Sequence, residues 1–77
     1  MPTHYKQYMD GDTTVLEFPE LEFVSNNDPD IHQILLDRGL AVGIVGAVII
    51  TANVRLVAGK NKSDDVSFNL YDGGFTQ

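Results

Sequence analysis

Residues 39–54 read G-L-A-V-G-I-V-G-A-V-I-I-T-A-N-V, a run of sixteen positions without a charged side chain between Arg38 and Arg55. As an α-helix this run would be about 24 Å long, which is shorter than the roughly 30 Å hydrocarbon core of a bilayer. The two arginines can extend their charged ends toward the headgroups, and residues 56–59 continue the apolar character. The run therefore predicts a helix that crosses or enters a membrane.

The predicted fold class is mainly α, with a single long apolar helix over about 29–58, bent near Gly39. The alternative is that Gly39 ends the first helix as a left-handed cap. The helix is flanked by extended or short-strand segments, which divides the chain into an acidic head (1–28), a middle (29–62) and an acidic tail (63–77). A chain of 77 residues without cysteine buries a small share of its surface when it folds alone. We therefore expect no independent globular core, and stabilisation by partners or lipid.

Small residues recur every fourth position of the apolar run, and together they predict a smooth face for close helix packing. Each interior glycine costs a helix about 0.5–1 kcal/mol relative to alanine, so several of them need a packing reason. The residues of this predicted helix-packing face are Gly39, Gly43, Gly46, Ala47 and Thr51.

The alternative interpretation of the same run is one or two buried strands in a soluble assembly. Val42, Ile44, Val45 and residues 48–50 are β-branched, and such residues favour strands. Buried strands usually stop at about 4–8 residues, and we find no turn signal that divides the run. Length therefore favours the membrane helix over the strands.

Basic residues border the run, and they predict both the membrane boundary and the orientation. Arg38 precedes the run, whereas Arg55, Lys60 and Lys62 follow it. By the positive-inside rule the C-terminus would face the cytoplasm. The predicted localisation is therefore a cellular or virion membrane.

The segments outside the run carry local signals of their own. Residues 13–24 predict two short strands interrupted at Pro19, suited to a sheet edge, after a turn at residues 10–12. Asp28 followed by Pro29 predicts a helix start. Residues 66–71 predict a short strand or docking peptide. The predicted partner-docking residues are Leu16, Phe18, Leu21, Phe23, Phe68 and Leu70.

Composition and motifs argue against catalysis, cofactors, metals and nucleic acid. The chain has no cysteine, and its net charge of −6 disfavours contact with phosphates. His4 and His32 lack the spacing of a ligand pair, and His32, on a predicted helix, is expected at the surface or at an interface. No glycine pattern matches a nucleotide loop. We predict no enzyme activity, no cofactor and no metal site.

These observations predict a small non-catalytic single-pass membrane subunit with a structural or assembly role in a larger complex, such as a virion membrane or a membrane-bound complex. The expected partners are the lipid bilayer and other subunits of a homo- or hetero-oligomer. The order of acidic head, apolar middle and basic exit is similar to the layout of filamentous-phage major coat proteins. No motif is shared, and the acidic tail after Lys62 departs from that layout.

Two other hypotheses remain open at this point. In the first, the chain is a soluble structural protein that inserts its apolar segment into neighbouring subunits of an assembly such as a capsid or tail. In the second, it is a holin-like pore-former in which Thr51, Asn53 and Arg55 line an aqueous lumen.

Overall fold

A computed structural model describes residues 4–70 and 74–76 of the chain, and strands dominate them. The elements in chain order are β1 (Lys6–Asp10), β2 (Thr13–Phe18), α1 (Pro29–Asp37), β3 (Ala41–Ile44), β4 (Ala47–Ile50), β5 (Val54–Ala58), β6 (Val66–Phe68) and β7 (Gly74–Thr76). They form two sheets, which we call sheet 1, with the order β1-β2-β5-β6, and sheet 2, with the order β3-β4-β7.

Sheet 1 joins strands from all three segments into which the sequence was divided. Strands β1 and β2 form an antiparallel hairpin whose register pairs Lys6 with Glu17, and its turn begins at Gly11, as the sequence predicts. Strand β2 runs parallel to β5, with Leu16 opposite Leu56, and β6 pairs antiparallel with β5. Strand β2 therefore lies inside the sheet, and the prediction of an edge strand is wrong because Pro19 follows the last residue of β2 and removes no ladder hydrogen bond.

The parallel pairing of β2 and β5 requires a long crossover connection, and residues 19–53 supply it. This crossover contains α1 and the whole β3–β4 hairpin. It carries α1 and the β3–β4 hairpin to the side of sheet 1 on which the core forms.

Helix α1 begins where the sequence predicts and ends before the apolar run. The Asp28 side chain accepts a hydrogen bond from the Asp30 amide at 2.9 Å, and Pro29 occupies the first turn. Gly39 follows the C-cap with φ of 72°. Its amide donates to the Leu36 carbonyl at 3.2 Å and that of Leu40 to the Leu35 carbonyl at 2.9 Å, the two bonds of a Schellman motif. The motif turns the chain out of the helix.

The long apolar helix predicted over about 29–58 is wrong, and the transmembrane and membrane-localisation predictions are wrong with it. Within residues 4–70 and 74–76, no helix combines the length and apolar character needed to cross a bilayer. Residues 41–44 and 47–50 are instead the two strands of a hairpin. The β-branched side chains favour the extended backbone, and Gly46, with φ of 77°, turns the chain between the strands. The predicted cytoplasmic C-terminus depended on a membrane helix over this run, and it loses its basis because the run forms strands.

One hydrophobic core unites both sheets and the helix, contrary to the expectation of no independent core. Leu16 and Leu56 from sheet 1, Leu35 from α1 and Val48 from β4 are all fully buried. Burial of each such side chain contributes about 1.5–3 kcal/mol. The remaining members of the core are Phe18, Val24, Ile31, Leu40, Ala41, Ile50, Val54 and Ala58.

Candidate interaction surface

The β3–β4 hairpin is apolar on both of its faces. The register places Gly43 opposite Val48 and Ala41 opposite Ile50, and of these four residues Ala41, Val48 and Ile50 belong to the core. Because side chains alternate between the two faces of a strand, the intervening positions point away from the core. We call these positions, together with the turn residue between the strands, the outer hairpin surface; its residues are Val42, Ile44, Val45, Ala47 and Ile49.

This surface is accessible along β3 and at the tip of the hairpin. Val42 is 49% exposed, Ile44 59% and Val45 104%, while Ala47 and Ile49 on β4 are half-buried. Single exposed apolar residues are common on proteins, whereas contiguous ones mark interaction sites. Residues 42–46 form an unbroken exposed stretch, so the outer hairpin surface qualifies as such a patch.

The two sheets differ in the side chains that they present away from the core. On sheet 1 the positions that face away from the core are mixed. They include the half-buried charged residues Glu17 and Arg55, and also Val15 and Val57, which are buried. The outer hairpin surface of sheet 2 carries no charge. Strands that are apolar on both faces are typical of sheets covered on both sides.

Strand β3 is also an edge of sheet 2 as the described residues define it. Proteins usually protect such edges with charged residues, proline or bulges, but the β3 sequence is Ala-Val-Gly-Ile. The Thr51 amide donates to the Leu40 carbonyl at 2.9 Å. In antiparallel pairs the backbone groups of alternate residues point to the partner strand. Since Leu40 bonds to Thr51, Val42 faces β4 in the same way, and the backbone N–H and C=O groups of Gly43 point away from β4. Gly43 is exposed. The edge beside the exposed apolar patch is therefore open at Gly43.

A pocket of about 280 Å³ lies on sheet 1, bordered by Asp10, Asn53, Arg55 and Phe68 among others. The Arg55 Nη2 atom is 3.5 Å from Asp10 Oδ2, and Arg55 Nε is buried without a hydrogen-bond partner among the described residues. Ligand pockets usually measure roughly 300–1,000 Å³. This pocket is slightly smaller than that range, and its ion pair is partly exposed, so it does not indicate a particular ligand.

A second pocket, of about 380 Å³, adjoins the first turns of α1 and is lined in part by Pro29 and His32. His32 is 4% exposed, so of the two predicted positions, surface or interface, the surface one is wrong. Its Nε2 atom is hydrogen-bonded to the Asn26 carbonyl oxygen, which ties the preceding loop to the helix. Within the described part of the chain no three His, Cys, Asp or Glu side chains converge as metal ligands.

The residues of the predicted helix-packing face do not share a helix in the structure. Gly39 ends α1, Gly46 lies in the hairpin turn, and Gly43 and Ala47 belong to different strands. By the register and the alternation of side chains, Gly43 lies on the core face and Ala47 on the outer face. The Thr51 hydroxyl donates to the Gly39 carbonyl at 3.2 Å. The predicted face requires one continuous helix through these residues, and the chain instead turns at Gly39 and again at Gly46.

The residues assigned to a membrane boundary lie at other kinds of position. Arg38 donates from Nε to the Tyr5 hydroxyl at 2.7 Å, and its guanidinium lies 5.6 Å from the centre of the Tyr5 ring. Arg55 is on β5 beside Asp10. Lys60 and Lys62 are exposed after β5. Arg38 is exposed as well, whereas Arg55 is half-buried.

The predicted partner-docking residues divide between core and surface. Leu16 and Phe18 are fully buried in the core, and Leu21 and Phe68 pack against it. Only Phe23 and Leu70 are exposed, at 68% and 53%. The structure describes Val66–Phe68 as a strand, which confirms that part of the predicted strand; Tyr71 at its end lies outside the described residues.

Sequence reasoning missed the outer hairpin surface as a unit. The uniform apolar run favours a helix in lipid by its length, and it does not show which residues would point away from a core if the run formed strands. The available signal was Val45-Gly46 at the centre of a run of β-branched residues, since glycine at the third position of a turn often marks a hairpin.

The chain matches no known family model, and neither curated proteins nor solved structures show significant similarity to it.

Proposed function

We propose that this chain is a small non-catalytic structural or assembly subunit that buries its outer hairpin surface against a neighbouring subunit of a multi-protein complex. The observation that carries the proposal is the exposed, uncharged stretch at residues 42–46, next to half-buried Ala47 and Ile49. The proposal keeps the assembly role expected from the sequence and replaces lipid with protein as the cover of the apolar segment.

Burial free energy supports a protein partner for this surface. Removing apolar area from water contributes about 25 cal/mol per Å², and Val42, Ile44 and Val45 each expose about half or more of their surface. Their positions on a hairpin held by the core fix them before binding, so little conformational entropy is lost on association. We therefore expect the interface with the neighbouring subunit to be centred on these three side chains.

The types of side chain in this sequence support a non-catalytic role. The chain has no cysteine, and its three serines, Ser25, Ser63 and Ser67, lie outside any nucleophile motif. The outer hairpin surface contains only aliphatic side chains, which bind and do not transfer protons. Its chemistry is therefore that of an interface.

Site-specific photo-cross-linking tests the proposal in cells that produce the protein. A benzophenone amino acid at Val45 is expected to form a discrete covalent adduct with a neighbouring subunit. The matched control places the same amino acid at Phe23, which is also apolar and exposed but lies outside the hairpin. A specific adduct from Val45 that disappears in an Ile44→Asp background supports the proposal. Absence of an adduct from Val45, or equal adducts from both positions, contradicts it.

A further inference from the structure

We infer that the free edge of β3 and the adjoining side of α1 form a docking site for an extended peptide segment of another protein, which adds a strand to sheet 2 beside Gly43. The segment carries one large apolar side chain, which enters the pocket on α1, and basic residues on either side of it. The site consists of backbone groups of β3 and side chains of α1. The inference therefore goes beyond the proposed function and does not depend on what covers the outer hairpin surface.

The backbone of β3 determines the kind of occupant. The N–H and C=O groups of Gly43 point away from β4, and in the described part of the chain no strand lies on that side of β3. A donor and an acceptor on a strand edge pair with the backbone of another extended segment. A helix bonds its backbone groups internally and cannot pair in this way. The open edge is therefore a site for strand addition.

The side of α1 next to β3 carries a pocket for a side chain. The pocket of about 380 Å³ lies along one side of the helix, because its lining residues on α1 are spaced i, i+3, i+4 and i+7. These residues are Pro29, His32, Gln33 and Leu36. A Cβ atom on Gly43 would lie 3.9 Å from Leu36 Cδ2. The pocket and the open edge of β3 therefore meet at Leu36.

A strand added to β3 would direct side chains toward this pocket. Neighbouring strands lie about 4.8 Å apart, and their side chains alternate between the two faces of the sheet. A residue paired with Gly43 shares its face, which is the face toward α1 and Leu36. Gly43 has no side chain to obstruct this residue. Pro29 and Leu36 give the pocket apolar walls, so it suits a large aliphatic or aromatic side chain.

The charges around the site favour a basic segment. Residues 28–37 contain Asp28, Asp30 and Asp37 and no lysine or arginine, and β3 carries no charge. The net charge of −6 adds a longer-range attraction for a cationic segment and repels a second copy of the chain. Lysine or arginine beside the apolar anchor is therefore favoured. Because salt screens this attraction, binding should weaken as the salt concentration rises.

Selection from a peptide display library on the purified full-length chain tests the inference. The library contains random peptides of about nine residues, which is enough for one strand, and the strongest binder is then synthesised as the probe. We expect it to hold one large apolar residue between lysine or arginine residues. Raising sodium chloride from about 0.1 M to 1 M should raise its dissociation constant at least threefold, as measured by fluorescence anisotropy.

Backbone methylation of the probe distinguishes strand addition from other kinds of binding. In an added strand the N–H groups of alternate residues face β3 and the others face solvent. Peptides that are N-methylated at one position at a time should therefore alternate in affinity. Methylation of an N–H group that faces β3 is expected to raise the dissociation constant about tenfold. Methylation of its neighbours is expected to change it by less than about twofold.

Gly43→Pro and Gly43→Ala form a matched pair of variants. Proline removes the outward N–H group of residue 43 and no hydrogen bond to β4, so the chain should stay folded and bind the probe about tenfold more weakly. Alanine keeps the N–H group, and its dissociation constant should stay within about threefold of the wild type. Circular dichroism checks that both variants are folded. The methylation series uses the unaltered chain and gives an answer even if the proline variant does not fold.

The inference is overturned if the selection enriches no peptide, if methylation has equal effects at all positions, or if folded Gly43→Pro binds the probe as tightly as Gly43→Ala. Binding that strengthens with salt also overturns it. The proposed function fails by a different result. If Val45 gives no adduct in cells but the peptide results are as expected, the assembly role of the outer hairpin surface fails and the docking site at β3 stands.

Discussion

Gly46 shows how a single residue selects the hairpin over a helix. Its φ of 77° lies in the left-handed region, which costs a residue with a Cβ atom roughly 1–2 kcal/mol. Gly43, three positions earlier, has no positive φ, and a Cβ there would come no closer than 3.9 Å to Leu36 Cδ2. The two glycines look alike in the sequence, but only Gly46 needs to be glycine for conformational reasons.

Substitution of these two glycines by alanine is expected to have unequal effects. Gly46→Ala should lower the free energy of unfolding by about 1–2 kcal/mol because of the left-handed backbone. Gly43→Ala should leave it within about 0.5–1 kcal/mol of the wild type or raise it, because alanine restricts the unfolded chain. Urea unfolding followed by circular dichroism measures both. Equal losses at the two positions would contradict the hairpin turn at Val45-Gly46.

At the scale of elements, the β3–β4 hairpin has one face that stabilises the fold and one that is available to a partner. Val48 is fully buried, whereas Ile44 is 59% exposed. The local sequence does not distinguish them, since both are β-branched aliphatic residues within a uniform run. The difference arises from the alternation of side chains in a strand and from the sheet and helix against which one face packs.

Threonine substitution separates the two faces of the hairpin. Val48→Thr places a hydroxyl in the core, where an unsatisfied polar group costs about 1–3 kcal/mol, so the free energy of unfolding should fall by that amount. Ile44→Thr keeps β-branching at an exposed site and should change stability by no more than about 0.5 kcal/mol. Thermal or urea unfolding of dilute protein provides the measurement. A larger loss for Ile44→Thr than for Val48→Thr would reverse the assignment of the faces.

At the scale of the whole molecule, one core makes the two sheets interdependent. Leu56 on the central strand β5 packs in the same cluster as Leu35 of α1 and Val48 of sheet 2. A domain of 77 residues has a stability of about 4–12 kcal/mol. Loss of a central core side chain therefore removes a large part of the total and affects both sheets together.

Leu56→Ala is expected to lower the free energy of unfolding by about 2–5 kcal/mol. Hydrogen exchange of amides in β2 and in β4 should accelerate by similar factors, because one cooperative unit contains both strands. Leu70→Ala is the control, since Leu70 is 53% exposed and its truncation should change stability by less than about 0.5 kcal/mol. Faster exchange confined to sheet 1 would show that the sheets unfold independently.

The sequence determined the local features of this protein. The start of α1 at Asp28 and Pro29 could be predicted because a capping side chain and a proline act within one helical turn. The turn at Gly11 and the strand at Val66–Phe68 were also predictable, because turn residues and alternating apolar side chains act over a few neighbouring positions. The end of α1 at Gly39 was one of two open possibilities. The sequence also determined that residues 39–54 lack charge and therefore need an apolar environment on at least one side.

Only the tertiary structure decided what supplies that environment. An uncharged run of β-branched residues and glycines is compatible with a helix in lipid and with a hairpin on a protein core, because both environments remove apolar area from water. The choice depends on β2 and β5, whose parallel pairing joins residues about 40 positions apart, and on α1, which packs beneath the hairpin. The exposed half of the hairpin, and with it the candidate interaction surface, follows from that packing. Local sequence patterns do not encode which of two similar faces a distant part of the chain will cover.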